Sequence, residues 1–336
     1  MIETDRVYQL LPRLIDSIAR REPVLIEGLD DSEILALLPI LTRHKLESIA
    51  LLSMEETSAM ATFYNDTYEA QFSAVRDRLA KPLKASAGVF LQGFPRCLDY
   101  SDFYTPGMRS DIDLYVPVST CSAFREAAMQ AGFDYYGFDH QRVFVLNERQ
   151  SDALTARQWA SKDLPLTLPV EVALPDLPVE LSDCYLPYVL REGKVYLFIS
   201  IEIHHLYTHL SDIDVLEANR EYWPQMGVDR CNPEATLFFN LIRLYRGVLA
   251  DEARMRLVLD SACLFTSKHY RFDLGLLQQL IVGAQDTDRV MAVCLALANL
   301  HPLFEPLVCF PCTHIHAQLA GEWLSRFQQS LRAGAQ

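Results

Sequence analysis

Gly107-Met108-Arg109-Ser110-Asp111-Ile112-Asp113-Leu114-Tyr115-Val116 is the stretch on which the reading of this chain turns. From Asp111 onward the run is β-prone and apolar except for its two acids. Side chains in a strand alternate between faces, so Asp111 and Asp113 point the same way. Two neighbouring carboxylates repel and resist burial unless a divalent cation lies between them. Upstream, Val89-Phe90-Leu91 predicts a short strand closing on Gly93. Downstream, Lys194 to Leu206 predicts a longer one, with Val195, Leu197, Ile199, Ile201 and Ile203 on one face. Ser200, Glu202 and His204 take the other face. A glycine-ended strand, an Asp-x-Asp strand and a third acid-bearing strand frame an expected metal site of Asp111, Asp113 and Glu202.

Around this core the spacing predicts helices. Val7, Leu10, Leu11, Leu14, Ile15 and Ile18 recur at intervals of three and four. Asp30-Asp31-Ser32 ahead of an apolar run reads as a capped helix start, and Ser53 to Leu83 is amphipathic. Ser119 to Ala131 predicts a helix and Val143 to Leu146 a strand, while residues 150–190, with their prolines, have no clear period. Helical periodicity is expected again from Asp212 onward: Pro233 to Ala250, Glu252 to Phe265, Leu274 to Gly283, Asp288 to Leu300, and a last helix to Arg332. The expected fold class is therefore α+β: a small mixed sheet over residues 86–210, N-terminal helices over 1–85 and a C-terminal helical domain over 211–336.

The chain has 336 residues, half of them hydrophobic, with mean hydropathy +0.05, so it can bury a sizeable core. No apolar run reaches bilayer-spanning length, and Met1 to Arg21 carries charges throughout rather than a signal-peptide core. The expected compartment is the cytoplasm. A net charge of −14 repels phosphate chains, which disfavours a long nucleic acid as partner. The eight cysteines are scattered and read as reduced and mostly buried. Cys309, Cys312, His314 and His316 have metal-like spacing, yet so close a set, with Pro311 inside it, is awkward for one tetrahedral ion. They also read as ordinary residues at a helix start. Asp99 and Asp102 read as solvated loop acids or as contacts for a cationic acceptor, and Arg256 with Asp260 as an i,i+4 helix pair worth a few tenths of a kcal/mol.

Leu91-Gln92-Gly93, Pro106-Gly107-Met108-Arg109, Asp111-Ile112-Asp113-Leu114 and Ile201-Glu202-Ile203-His204 together resemble the nucleotidyltransferase superfamily with the DNA polymerase β-like palm. The likeness is closest to a bacterial family of uncharacterised nucleotidyltransferases found beside biosynthetic genes. It covers roughly residues 80 to 265, including Arg256 to Asp260 in the family's C-terminal bundle. The resemblance implies a Mg²⁺-dependent enzyme that moves an NMP from an NTP, ATP first among them, to a small-molecule hydroxyl, releasing pyrophosphate. Two Mg²⁺ ions would be held by Asp111, Asp113 and Glu202, with Glu202 also activating the acceptor. Gly93, Arg96, Arg109 and Ser110 would contact the nucleotide, supported by Gln92 and His204. His204 either orients Glu202, meets the metal, or is simply structural. The chain departs from the pattern at Phe94, where Ser or Gly is usual, and at Gln92, where the closer family tends to carry Lys. Nucleotidylation of a protein or tRNA, and a degenerate nucleotide- or partner-binding module, are the alternatives.

Overall fold

The computed structural model describes residues 2–54, 57–91, 94–99, 103, 111–139, 142–145, 165–172, 188–191, 194–204, 210–250, 254–308 and 310–333. The chain divides into two compact units, neither continuous in sequence. Met1–Thr57, Arg96–Pro106 and Pro233–Gln336 form a helical unit. Ser58–Pro95 with Gly107–Asn232 forms a unit that contains every described strand. The fold class is α+β, as expected from the alternating and helical periods. Among the described residues no helix is long and apolar enough to cross a membrane.

The helices run α1 (Ile2–Arg20), α2 (Asp31–Arg43), α3 (Glu47–Leu52), α4 (Thr57–Ala85), α5 (Val118–Gln130), α6 (Leu210–Ala218), α7 (Pro233–Leu249), α8 (Met255–Thr266), α9 (Leu274–Val282), α10 (Thr287–Leu300) and α11 (His314–Ala333). In the helical unit, the 3/4-spaced residues of α1 are all buried and the helix packs on α8. The expected cap of α2 is present: Asp30 Oδ1 accepts from the Glu33 amide at 2.9 Å, and Glu33 Oε2 accepts from the Asp30 amide at 3.2 Å. This reciprocal pair satisfies two amides that the helix itself cannot.

The strands are β1 (Val89–Phe90), β2 (Asp111–Tyr115), β3 (Tyr136–Asp139), β4 (Arg142–Val145), β5 (Leu166–Val172), β6 (Tyr188–Arg191), β7 (Lys194–His204), β8 (Arg220–Trp223) and β9 (Val228–Cys231). The main sheet has the order β5-β7-β2-β1-β9-β8, with β6 also on β7, and β3 and β4 pair separately. β7 runs parallel to β2 and β1 parallel to β9, whereas the other pairings are antiparallel. β5 follows one edge of β7, while β6 and β2 share its opposite edge end to end. The hairpin β8–β9 lies where only helical periodicity is expected. Its strands are four residues each, too short to show alternation, and the turn between them contains Gly227 at φ 71°.

Aromatic packing ties α4 to the sheet. Trp223 on β8 meets Phe90 of β1 edge-on at 5.5 Å and Phe72 of α4 at 5.9 Å, and Phe94 joins both Phe90 and Trp223. Phe90, Phe94 and Trp223 are all buried, and each contributes about 1.5–3 kcal/mol of apolar burial. Gly88, just before β1, has no room for a side chain: a Cβ there would stand 2.2 Å from Leu83 Cδ1 and 3.2 Å from the Tyr115 carbonyl oxygen. That close approach seats β1 beside β2.

Candidate metal centre

β2 and β7 form because each alternates apolar and polar residues, and the two faces are treated differently by the fold. Ile112, Leu114, Ile199, Ile201 and Ile203 are buried, while Asp111, Asp113, Ser200, Glu202 and His204 remain partly accessible on the other face. Parallel register then sets the pairs: Asp111 beside Ser200, Asp113 beside Glu202, and Tyr115 beside His204. The backbone of this rung is held on both sides. The Leu91 amide donates to the Asp113 carbonyl at 2.9 Å, and the Val116 amide donates to the His204 carbonyl at 3.3 Å.

Asp113, Glu202 and His204 each bring one potential ligand atom within 4.8 Å of the others. His204 Nε2 lies 2.8 Å from Asp113 Oδ1 and 3.8 Å from Glu202 Oε2. With an ionised Asp113 the ring nitrogen is the donor. The three side chains are 13–17% exposed, enough to admit an ion without leaving the carboxylates in bulk water. Two ligands that each sit about 2.1 Å from one ion are about 3.0–3.4 Å apart at octahedral or tetrahedral angles. The two separations lie on either side of that range, which makes the set a candidate for a divalent cation.

Neighbours extend the polar face. Thr167 of β5 and Ser200 share a hydrogen bond of 3.0 Å, which engages the residue beside Asp111. Tyr115 donates to Glu217 Oε1 at 3.4 Å, and burial, reinforced by Glu217, holds its phenol above the ordinary tyrosine range. Neither contact is visible in the sequence, because Thr167 and Glu217 carry no spacing signal linking them to β2 or β7. The Ser200, Glu202, His204 alternation is visible, and it marks His204 as a member of the site.

Of the expected site residues, the structure brings together Asp113, Glu202 and His204, with Asp111 two residues along the same face of β2. Gln92, Gly93, Arg109 and Ser110 lie outside the described residues, as do Asp102 and Cys309. Arg96 belongs to the helical unit, where it is buried, donates to Asp99 Oδ2 at 3.1 Å and lies over the Tyr270 ring at 5.4 Å. Asp99 is accordingly buried rather than solvated. Arg256 and Asp260, the i,i+4 helix pair, are also buried, at 3.9 Å from each other. His316 behaves as a residue of a helix start: its Nδ1 accepts from the Thr313 amide at 3.1 Å and its Nε2 meets Asp288 Oδ1 at 3.1 Å. Cys121, Cys231, Cys263 and Cys294 are buried and Cys312 is exposed.

Comparison with protein families, curated proteins and solved structures finds no match, so the likeness carried by Asp111, Asp113 and Glu202 rests on those residues and their neighbours alone.

Proposed function

We propose that the chain is a divalent-cation-dependent nucleotidyltransferase that moves an NMP from an NTP, with ATP the first donor to test, to a hydroxyl of a small molecule. The observation that supports this most is the Asp113–Glu202 rung: two acids side by side across a parallel strand pair, half-shielded, on the face that also carries Asp111. A divalent cation beside such a pair relieves the mutual repulsion of its carboxylates. Mg²⁺ held by Asp111, Asp113 and Glu202 would supply charge neutralisation along the triphosphate.

The chain's own residues would divide the rest of the work. The acceptor oxygen attacks the α-phosphorus and a new P–O bond forms. The bond to the α–β bridging oxygen breaks, pyrophosphate leaves with the electron pair, and Glu202 takes the hydroxyl proton. His204, bonded to Asp113, holds that carboxylate in one orientation. Gly93, Ser110 and Arg109 are the proposed phosphate contacts. Arg109 takes precedence over Arg96, whose guanidinium is engaged with Asp99.

A second reading, a non-catalytic nucleotide-binding module, is favoured by Phe94. Its side chain is buried among Phe90, Tyr68 and Trp223, where the superfamily pattern supplies a small or hydroxyl residue beside the phosphates. Thermal-shift titration with each NTP, with and without Mg²⁺, followed by pyrophosphate release on candidate acceptors, separates the readings. A Mg²⁺-dependent rise in melting temperature that disappears in Asp111→Asn/Asp113→Asn supports the site, because a ligand specific to the folded state stabilises it. Turnover then marks the enzyme, and binding without turnover on any acceptor marks the module. Label passing from ATP into macromolecules would instead point to a protein or tRNA acceptor.

A further inference from the structure

We propose that His204 is itself a metal ligand, so that Asp113, Glu202 and His204 make a mixed nitrogen–oxygen site selecting transition-metal divalent cations, Mn²⁺ among them, over Mg²⁺. This rests on the metal-binding part of the function proposed above, not on the reaction assigned there.

Three observations converge on it. The strand period places Glu202 and His204 on one face of β7, and the parallel register sets Asp113 beside Glu202 on the adjacent strand. The atom that His204 turns toward both carboxylates is Nε2, 2.8 Å from one and 3.8 Å from the other. An imidazole binds metal through either ring nitrogen, here Nε2 once its proton toward Asp113 is given up and Nδ1 carries the remaining one. A histidine serving only as a hydrogen-bond partner for Asp113 has no need to approach Glu202 as well. The chemistry of the set then decides the ion. Mg²⁺ takes near-ideal octahedral oxygen shells and keeps its waters, whereas imidazole suits the later first-row divalent ions. Two carboxylate oxygens and one imidazole nitrogen form an intermediate donor set, hard enough for Mn²⁺ and nitrogen-bearing enough to disfavour Mg²⁺.

The test uses the full chain with Mn²⁺ alone as the probe. Pulsed electron paramagnetic resonance on the Mn²⁺-loaded protein is expected to show modulation from a directly bound ¹⁴N, which changes when histidine is supplied as the ¹⁵N form. In His204→Gln the nitrogen modulation disappears and Mn²⁺ binds at least about 10-fold more weakly. In the wild type the melting temperature rises more with Mn²⁺ than with equal Mg²⁺, and in His204→Gln that difference closes. Should His204→Gln fail to fold, His204→Asn gives the same readout, since labelling all nine histidines does not by itself single out His204. Bound Mn²⁺ without nitrogen modulation, or modulation that persists in His204→Gln, overturns the inference and leaves an oxygen-only site in place. If neither Mn²⁺ nor Mg²⁺ binds at millimolar concentration, the proposed function fails along with it.

Discussion

Two charged clusters in this molecule are built on opposite plans. In the helical unit Arg96 stands against Asp99 at 3.1 Å and Arg256 near Asp260 at 3.9 Å, each pair of opposite sign and almost wholly buried. In the sheet unit Asp113 and Glu202 carry the same sign and stay partly open, with one imidazole between them. A buried pair of opposite charges is neutral within itself. Like charges side by side on a partly accessible face repel, and a cation is one partner that relieves the repulsion. The contrast sets pairs neutralised within the fold against the carboxylates for which a cation is proposed.

The largest effect expected is on turnover. On the proposed reaction, Glu202→Gln should lower the rate of pyrophosphate release by on the order of 10²–10⁴-fold, the usual worth of a positioned general base. The same substitution removes a repulsion, so in the absence of metal its melting temperature should equal or exceed that of wild type. A clear fall in stability would place Glu202 with the structural pairs instead.

Next in size is Asp260→Asn, which leaves the Arg256 guanidinium buried beside a neutral partner. Chemical denaturation should show a loss of about 3 kcal/mol, with metal affinity unaltered. An unchanged midpoint would mean that this pair resembles a surface ion pair after all.

Gly88→Ala probes the scaffold beneath the open site. The added methyl meets Leu83 Cδ1 and the Tyr115 carbonyl, so a cost of about 1–3 kcal/mol is expected from overpacking. Because Tyr115 ends the strand that carries Asp113, weaker Mn²⁺ binding should accompany the loss, and calorimetry on the variant would register both.

The smallest effect is expected at alkaline pH. Tyr115 has a raised pKa when folded, chiefly through burial. It therefore contributes stability that is complete below the unfolded value of about 10 and is lost as pH rises through the folded one. Tyr115→Phe should flatten the alkaline limb of the melting-temperature profile and leave the neutral region nearly level.

Much of this contrast was legible in the chain itself, for physical reasons that differ by element. Alternation in Lys194–His204 is a strict period of two, so both the buried isoleucine face and the Ser200, Glu202, His204 face could be read directly. The cap at Asp30 and the apolar stripe of α1 were equally local. Register is not local: nothing in the spacing says that Asp113, rather than Asp111, stands beside Glu202. The burial of Arg256 and Asp260 was hidden by their i,i+4 spacing, which looks the same on an exposed helix. The apolar run of Leu257, Val258, Leu259, Ala262, Cys263 and Leu264 around them was the available signal, since a helix apolar on most sides is a buried one.

The interleaving of the two units has a consequence for the order of assembly during synthesis. α1 leaves the ribosome with Val7, Leu11, Leu14 and Ile15 in need of cover, yet α8, against which it packs, begins only at Met255. At about 5–20 residues per second the wait is on the order of 10–50 s. β1 waits in the same way for β9, its parallel neighbour, which is not made until Val228. Until then α1 has α2, and β1 has β2, of the neighbours that finally cover them, so the final packing of both segments is a late event of synthesis.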